Sequence, residues 1–592
     1  MRFCSVKGNE YGISRATEGN LAKADMVLTN GVVYTVDDND TIAEAVAIKD
    51  GKIIFVGSSN DAKAYIGTDT EVVDLEGKMV LPGMIDTHIH APGTALTELY
   101  NINLHGILTE KETMKAIEQF IQEHPDLDMY YGSGFSVGAF SGEEVSMGPR
   151  KERLDAICPD KPVIISSYDG HTTWVNSKAL EMFGIDKNTP NPPGGVIEKD
   201  PKTGEPWGTL KEAAEQLIPA QQFTFEQQVE ALKLFQENLH RLGYTSILSI
   251  SGGSPVPFDA YKALEEQGEL KLRVRGSMTM DPEQDPAPQI EELKRLRDTY
   301  NSDLMKVTTA KYFADGVVEG VTAYLLEPYE AEAGKGKDYR GEFLWDMDRL
   351  KKAFRMTNSE GFQIHVHSIG DAATRNVLDA MEYAKAHAPK GDYRNTITHL
   401  QLVAPEDILR FRELGVVAAT QPYWHLKEPD WWEVVDYPFL GERAEYEYPL
   451  QSFIKEGVIV TASSDHPVTT PPNPFWAIEA GVTRNLNNAE HYGVEDIQHM
   501  DDPKWLLNKE ERASLKDMIK SFTRNGAYAT FQENEVGTIE EGKYADLIVL
   551  DQNLFEIDPI HIDKVKVLKT IFNGEIVYDA FSENFDEALA LV

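Results

Sequence analysis

The sequence contains little cysteine: Cys4 and Cys158 are the only two in 592 residues. Two cysteines so far apart exclude a disulfide framework and a CxxC-type metal or redox site. A bound metal ion would therefore take its ligands from His, Asp, Glu or a modified Lys side chain.

Long apolar runs are also missing from the sequence. No 18 consecutive apolar residues occur, and the first residues, MRFCSVKGNEYGISR, lack the apolar core of a secretory signal. These absences predict a cytoplasmic protein without a membrane span, although an export signal removed earlier would leave the same pattern.

Positive charge is scarce. The 57 Lys and Arg residues are outnumbered by 97 Asp and Glu residues, which gives a net charge of −40. An acidic surface repels phosphate backbones and anionic lipids, so we expect a small-molecule partner rather than nucleic acid or a membrane. The composition is that of a globular protein, and 592 residues exceed one ordinary core, which predicts more than one domain.

Strand and turn patterns are concentrated at the two ends of the chain. Four stretches resemble β-hairpins or strand pairs: ADMVLTNGVVYTVDD (24–38), EAVAIKDGKIIFVG (44–57), VGTIEEGKYADLIVLD (536–551) and VLKTIFNGEIVYD (567–579). In the first stretch the turn would be Asn30-Gly31, a strong hairpin signal. We therefore predict one small β domain built from 25–80 and 533–580.

Between these ends, apolar strand-like runs alternate with helical stretches such as LKEAAEQLI (210–218) and TFEQQVEALKLFQENLHRL (224–242). Eight runs read as strands: 79–90, 243–251, 272–280, 306–316, 362–370, 395–403, 416–422 and 458–467. Alternation of this kind favours a parallel sheet, and eight units predict an α/β fold, a (β/α)₈ TIM barrel over 81–532.

The distance between the first two predicted strands is unusually long. About 150 residues separate His90 from Gly243, several times the length of one βα unit. We interpret 91–240 as an insertion on the side of the barrel where active sites lie, and expect it to cover the site.

The decapeptide LPGMIDTHIH (81–90) ends in two histidines two positions apart. Side chains with this spacing point to the same side of a strand, roughly 6.6 Å apart along the chain, so His88 and His90 can bind one ion. More residues that can bind metal follow at the ends of later predicted strands: Lys311, His365, His367, His399 and Asp465. The carboxyl ends of barrel strands surround one opening, so these side chains are predicted to meet there.

The sequence resembles the amidohydrolase superfamily, and specifically the amidohydrolase-3 branch that includes N-substituted formamide deformylase. The motifs that carry the resemblance are LPGMIDTHIH, KYFADG, HVHSIGDAA, THLQLV, SSDHPV, DGHTTWVNSKAL and GTIEEGKYADLIVLD. It extends from about residue 25 to 579. The resemblance implies a metal-dependent hydrolase with a (β/α)₈ barrel and a β-sandwich made by both chain ends.

The resemblance also implies roles for individual residues. The metal ligands would be His88, His90, His367, His399 and Asp465, with Lys311 as a carboxylated lysine that bridges two ions. The alternative for Lys311 is an unmodified lysine paired with Asp315, and His365 would be a neighbour in the wall of the site. Neutral imidazoles with one carboxylate suit zinc, as one or two divalent ions, or another first-row metal.

Two residues are candidates for catalysis. Asp465 would act as general base and then general acid. His171, in the insertion, would donate to the substrate carbonyl or scissile group, and the alternative is a buried structural histidine. Four residues after the seventh strand form an aromatic cluster that either lines a pocket or packs internally: Trp424, His425, Trp431 and Trp432. Arg443 and Arg484 would bind a substrate carboxylate or pair with surface acids.

The function expected from these residues is hydrolysis of non-peptide C–N bonds in small amides, N-formyl or N-acyl amines, or cyclic amides. A lactone or ester hydrolase, or a deaminase, is the alternative within the same fold. Because HSIGD offers only Asp371 as an acid after the fifth strand, acyl hydrolysis is favoured over deamination. A metal-free, non-catalytic scaffold is a third alternative, and the family suggests a homodimer.

Overall fold

The computed structural model describes residues 21–582 except 108, 169, 171, 193–194, 251–256 and 430. The predicted catalytic residue His171 lies outside the described residues. None of the helices in the described part combines the length and the apolar character needed to cross a lipid bilayer.

Eight parallel strands in the described residues form the central sheet. In chain order they are β1 (Met84–Ile89), β2 (Tyr244–Ser249), β3 (Arg273–Thr279), β4 (Met305–Phe313), β5 (Gln363–Ser368), β6 (Thr396–His399), β7 (Val417–Thr420) and β8 (Val460–Ala462). Each strand pairs with the next strand along the chain, as expected when helical crossovers connect parallel neighbours. The predicted (β/α)₈ barrel is confirmed.

The first and last strands of the sheet are joined by hydrogen bonds that close the barrel. Thr87 Oγ1 donates to Thr461 Oγ1 at 3.0 Å. Beyond the strand ends, the Asp465 N–H donates to His88 O and the His90 N–H donates to His466 O, both at 2.9 Å. Closure therefore brings His88 and His90 next to Asp465, although they are far apart in sequence.

Helices surround the barrel. The helix that precedes β2 and those that follow the later strands are α1 (Phe225–Arg241), α2 (Phe258–Glu266), α3 (Pro286–Thr299), α4 (Met347–Ser359), α5 (Asp371–His387), α6 (Pro405–Leu414), α7 (Leu450–Lys455) and α8 (Pro474–Thr483). Their buried faces share one hydrophobic cluster with the strands, for example Phe235 of α1 and Ile247 of β2. Two more helices, Leu515–Phe522 and Arg524–Ala529, pack beside β8.

Both ends of the chain contribute to a β-sandwich, as predicted. One sheet has the strand order Glu575–Asp579, Val567–Phe572, Leu547–Leu550, Met79–Pro82, Val32–Tyr34 and Ile42–Ala43. The other has the order Lys52–Gly57, Ala45–Lys49, Met26–Thr29 and Glu71–Asp74. Side chains from both sheets, such as Leu28 and Val549, form one buried cluster between them.

Two of the four terminal stretches form the predicted hairpins. Ala45–Lys49 pairs with Lys52–Gly57, and Val567–Phe572 pairs with Glu575–Asp579. The hairpin predicted around Asn30-Gly31 is wrong, because the strands before and after this turn lie in different sheets. Asn30 has φ 57°, and this left-handed turn carries the chain from one layer of the sandwich to the other.

The long insertion after β1 has a sheet of its own. Its strand order is Gly195–Lys199, Pro206–Glu212, Thr172–Val175, Val163–Ser167, Tyr130–Phe135 and Ile102–Asn103. Its helices are Ala95–Tyr100, Glu110–Glu123, Glu144–Met147, Lys151–Ile157 and Ser177–Met182. Reciprocal hydrogen bonds of 2.8 and 3.0 Å between the amides of Asn101 and Gln221 join the two ends of the insertion.

Two parts of the predicted insertion differ from expectation. The helix predicted over 210–218 is wrong: Leu210 and Lys211 lie in a strand that pairs with Thr172 and Thr173, and only a 3-10 helix, Ala213–Leu217, follows. Cross-strand pairing here overrides the helix propensity of Lys, Glu and Ala. The last predicted part, 225–240, belongs to α1, whose buried side chains pack with the barrel.

Candidate metal centre

Two histidines, His88 in strand β1 and His90 directly after it, lie at the opening of the barrel. Asp86, His88 and His90 alternate with outward residues, so the three side chains point to the same side of the chain. His88 is almost fully buried and His90 is half-buried. His88 Nε2 lies 3.1 Å and His90 Nε2 lies 2.9 Å from the same oxygen, Asp465 Oδ1.

A third imidazole completes a compact group with His88 and Asp465. One potential ligand atom from each of His88, His399 and Asp465 lies within 4.8 Å of the other two, and all three residues are buried. The ring centroids of His88 and His399 are 5.1 Å apart. The structure thus brings together four of the sequence-predicted ligands, His90 being joined through Asp465.

Two of these residues have backbone conformations that side-chain-bearing residues rarely adopt. His399 has φ 78° and Asp465 has φ 57°. Such left-handed residues cost free energy and persist only where the surrounding structure fixes them, often at functional sites. His399 is the last residue of β6 and Asp465 lies three residues beyond β8, so in both cases the chain turns at the opening of the barrel.

The remaining predicted ligand, His367, lies beside this group. Its ring centroid is 4.5 Å from that of His399. His367 Nε2 is 2.9 Å from the carbonyl oxygen of Gly316, so Nε2 is the donor and Nδ1 is the nitrogen left for another ligand.

Lys311 is the buried amine of the site. Its Nζ has no hydrogen-bond partner among the described residues, and burial lowers the pKa of the amine to about 7. The structure does not pair Lys311 with Asp315. Asp315 instead accepts hydrogen bonds of 2.9–3.0 Å from the backbone N–H groups of Tyr324, Ile369 and Gly370.

The electrostatics of the site favour neutral imidazoles around a charged carboxylate. Burial lowers the pKa of His88 and of His399 well below the ordinary value, and Lys311 and neighbouring histidines lower it further. Burial opposes ionisation of Asp465, but the hydrogen bond from His90 and the nearby basic groups bring the pKa of Asp465 below its usual value. Metal ligands need these protonation states.

These donors fit a divalent cation. Two imidazole nitrogens converge on one carboxylate oxygen, and the buried amine of Lys311 interacts electrostatically with His88 and Asp465. Nitrogen donors combined with a carboxylate are the set preferred by zinc and other first-row metals. His88, His90, His399 and Asp465 would hold the ion, with His367 and Lys311 as further donors.

Hydrogen bonds from a second layer of residues orient the first. His88 Nδ1 lies 2.8 Å from His365 Nε2, and His399 Nδ1 lies 2.9 Å from Gln421 Oε1. Asp86 accepts from the His88 and Ser464 N–H groups and so ties β1 to the segment after β8. The sequence interpretation missed Gln421 and Asp86, although the position of Asp86, two residues before His88, was an available signal.

The aromatic and arginine residues singled out in the sequence have different roles. Trp424 stacks on His399 with ring centroids 5.8 Å apart, whereas His425 is buried and stacks on Tyr448. Arg443 and Arg484 donate to backbone carbonyl oxygens, so both guanidinium groups serve the fold rather than a substrate carboxylate or surface acids.

The sequence profile of the amidohydrolase family matches residues 71–578. The putative amidohydrolase YtcJ of Bacillus subtilis is 29% identical over 93% of this chain and 98% of its own length. The N-substituted formamide deformylase of Arthrobacter pascens is 25% identical over 94% of this chain and 98% of its own length. The chain belongs to the amidohydrolase family and is a hydrolase of carbon–nitrogen bonds.

Solved structures agree with this assignment. An uncharacterized metal-dependent hydrolase from Pyrococcus horikoshii superposes with a TM-score of 0.68 and 25% identity, over 90% of this chain and 99% of its own. An adenosine deaminase from Xanthomonas campestris with bound zinc has a TM-score of 0.52 and 11% identity over 94% of both chains, a likeness that shows the fold alone.

Proposed function

We propose that this protein is a zinc-dependent hydrolase that releases amines from small N-formyl or N-acyl compounds, or opens small cyclic amides. The observation that carries the proposal is the convergence of His88, His399 and Asp465 within 4.8 Å at the opening of the barrel. When bound, a divalent ion supplies Lewis acidity, which polarises a carbonyl group and makes water a better nucleophile at neutral pH.

Asp465 is the residue that we propose moves the proton. Its carboxylate is ionised because the pKa is lowered, so it can accept a proton from the attacking water. It can then donate this proton to the departing amine, which needs a proton to leave. His90 Nε2 lies 2.9 Å from Asp465 Oδ1, so His90 helps to position this carboxylate at the opening of the barrel.

The acids of the HSIGD and KYFADG motifs support acyl hydrolysis over ring deamination. Asp371 Oδ1 accepts from the Leu326 N–H at 2.8 Å and from the Ala372 N–H at 3.0 Å, at the start of α5. Asp315 is occupied by three backbone N–H groups. Both carboxyl groups therefore hold loops, and neither is directed to protonate a purine or pyrimidine ring.

A row of rings beside the metal centre supports an apolar substituent on the substrate. Phe313 lies 5.3 Å from His367, His367 lies 4.5 Å from His399, and His399 lies 5.8 Å from Trp424, measured between centroids. Phe313 and Trp424, at the two ends of the row, are only half-buried. Aromatic walls of this kind favour flat or apolar groups.

The remaining expectations belong to the same proposal. We propose that the predicted insertion, 91–240 without the part that belongs to α1, covers the site, since it begins directly after His90. We also propose that the enzyme works in the cytoplasm as a homodimer on a small-molecule substrate, without nucleic acid, and that Lys311 is carboxylated when two ions are bound. We also propose that His171 donates a hydrogen bond to the substrate.

Asp465→Asn tests the proposal. The asparagine keeps an oxygen for the ion but cannot take a proton, so we expect metal to stay bound while amine release falls by roughly 10²–10⁴-fold. Metal content is measured by elemental analysis, and amine release from a panel of N-formyl and N-acyl amines. Near-normal turnover in Asp465→Asn would contradict the role of Asp465, and turnover of lactones or purines alone would contradict the substrate class.

A further inference from the structure

Gln421 occupies a fully buried position between the strands that carry the metal donors. It follows directly after β7, and its side chain is 0% exposed. Its carbonyl oxygen, Oε1, lies 2.9 Å from His399 Nδ1. The orientation of this one amide therefore decides which kind of group faces the imidazole.

The neighbours of Gln421 fix that orientation. The amide nitrogen, Nε2, donates to Ser463 Oγ at 2.7 Å and to Thr398 Oγ1 at 3.1 Å, which uses both of its N–H groups. Ser463 Oγ donates its only proton to Thr420 O at 3.2 Å, so towards Gln421 it can only accept. Reversing the amide would place an oxygen against this acceptor, and the hydrogen bond from Nε2 to Ser463 would be lost.

An acceptor oxygen at 2.9 Å requires a proton on His399 Nδ1. A neutral imidazole carries one N–H, so Nε2 of His399 then holds a lone pair. We infer that Gln421 is a positioning residue that fixes His399 in the Nδ1-protonated form and so prepares Nε2 to bind the metal ion. This inference rests on the metal centre of the proposed function.

His365, the hydrogen-bond partner of the buried ligand His88, does not fix the tautomer of His88 in the same way. His88 Nδ1 faces His365 Nε2 at 2.8 Å, and His365 Nδ1 has no hydrogen-bond partner among the described residues. Either ring of that pair can supply the proton, so this contact does not by itself set the tautomer of His88. Gln421 is thus the residue whose removal should change the site selectively.

Gln421→Met removes the acceptor while keeping the length of the side chain. We expect zinc affinity, measured by competition with a chromophoric chelator, to fall roughly 10- to 100-fold, as is typical when the outer partner of a ligand histidine is lost. Gln421→Glu keeps an oxygen towards His399, and the hydroxyl group of Thr398 can turn to donate to the second carboxyl oxygen. Its zinc affinity should stay within about threefold of wild type on the same grounds.

Gln363→Met is the matched control. Gln363 is also a buried barrel glutamine, but its amide donates to Arg394 O and Ala529 O at 2.7 and 2.8 Å, away from the metal centre. We expect this variant to lose stability and keep the zinc affinity of wild type. A fall in affinity equal to that of Gln421→Met would show a general packing effect and overturn the inference.

The tautomer itself is read from two-bond ¹H–¹⁵N correlations of metal-free protein with labelled histidine, with His399 assigned from His399→Gln. We expect Nδ1-protonated His399 in wild type and a mixed population in Gln421→Met. Wild-type zinc affinity in Gln421→Met, or an Nε2-protonated His399 in wild type, would overturn the inference. A wild-type protein that binds no zinc would contradict the proposed function instead, and the tautomer would still decide the inference.

Discussion

At the scale of single residues, His88 contacts other residues of the site through both of its ring nitrogens. One ring nitrogen lies 3.1 Å from Asp465 and the other 2.8 Å from His365. We predict that His88→Ala loses both metal and activity, with zinc affinity falling by more than the roughly 10- to 100-fold typical of an outer-layer change.

Elemental analysis and chelator competition measure this loss, with His499→Ala as the control because that imidazole is 71% exposed. A His88→Ala protein that keeps a full equivalent of tightly bound zinc would show that the ion, if any, lies elsewhere.

Away from the metal centre, two buried acids share the amide of Gln401. Gln401 Nε2 donates to Asp436 Oδ1 at 3.2 Å and to Glu447 Oε1 at 2.7 Å. Burial and the nearby acids raise the pKa of Asp436 to about 8 and raise the pKa of Glu447 well above its ordinary value. Both carboxyl groups are therefore protonated in the folded protein under conditions where they ionise in the unfolded chain.

The sign of the pH dependence follows from these raised pKa values. The contribution of these two carboxyl groups to the free energy of unfolding is fully present below about pH 4, and it is lost as the pH rises through about 8. Asp436→Asn/Glu447→Gln keeps the acceptors but cannot ionise. We predict that the free energy of unfolding of this double variant, relative to that of wild type, increases by at least about 1 kcal/mol between pH 5 and pH 8.5. This is less than the free energy that corresponds to a shift of one pKa unit.

Thermal or urea unfolding at the two pH values measures this difference. The control is Glu291→Gln/Asp298→Asn, which neutralises carboxylates that are 71% and 80% exposed. The same pH-dependent gain in the control would attribute the effect to net charge rather than to burial.

At the scale of secondary-structure elements, periodicity predicted the barrel strands well because each is a short apolar run after a helix. The run 79–90 is the exception, since it divides into Met79–Pro82 in the sandwich and β1 in the barrel. The division falls at Gly83, where a Cβ would lie 2.2 Å from Thr245 Oγ1. An apolar pattern reports burial but does not say which sheet a strand joins.

The terminal turns and the insertion show a second limit of local patterns. Asn30-Gly31 has the composition of a hairpin turn, yet it joins two sheets, because strand partners are chosen by long-range pairing. The strand Pro206–Glu212 contains Pro, Gly and good helix formers, and its pairing with Thr172–Val175 decides its conformation.

Helix α1 begins with a complete capping box. Thr224 Oγ1 accepts from the Gln227 N–H at 3.2 Å, and Gln227 Oε1 accepts from the Thr224 N–H at 2.9 Å. We predict that Thr224→Ala lowers the free energy of unfolding by about 1 kcal/mol, whereas Thr224→Ser, which keeps the hydroxyl, stays near wild type. Urea unfolding distinguishes them, and equal losses in both variants would rule out the cap as the cause.

At the scale of the whole molecule, a buried ion pair joins the barrel to the sandwich. Arg273 Nε of β3 donates to Asp546 Oδ2 at 2.8 Å, and the two side chains are 3% and 1% exposed. Asp546 O also accepts from the Gly83 N–H, directly before β1. The joint therefore lies below the strand that carries His88 and His90.

We predict that Arg273→Met destabilises the protein by about 3–5 kcal/mol, because it leaves the Asp546 carboxylate buried without its partner. Arg273→Met/Asp546→Asn should recover a large part of this loss, since no buried charge is left uncompensated. Unfolding midpoints of the single and double variants test this. A double variant no more stable than Arg273→Met would place the cost in packing instead.

The whole molecule also shows what the sequence could say about the site. The positions of His88, His90, His399 and Asp465 at the carboxyl ends of the predicted barrel strands predicted their meeting, and the closed sheet brings them together. The hydrogen-bond partners His365 and Gln421 were not predicted as orienting groups, because neither strand periodicity nor a motif specifies which nitrogen of an imidazole faces inward. Such detail depends on packing between strands distant in sequence.

The strand Met79–Pro82 pairs with Leu547–Leu550, which lies near the other end of the chain. During translation, every barrel strand leaves the ribosome before Val80 can meet Val549. Until then the edge of Met79–Pro82 that pairs with Leu547–Leu550 has unpaired backbone N–H and C=O groups, and this strand leads directly to the segment that contains His88. A chain that stops before Leu547 would thus keep this edge exposed, which suits it to proteolytic disposal rather than to partial activity.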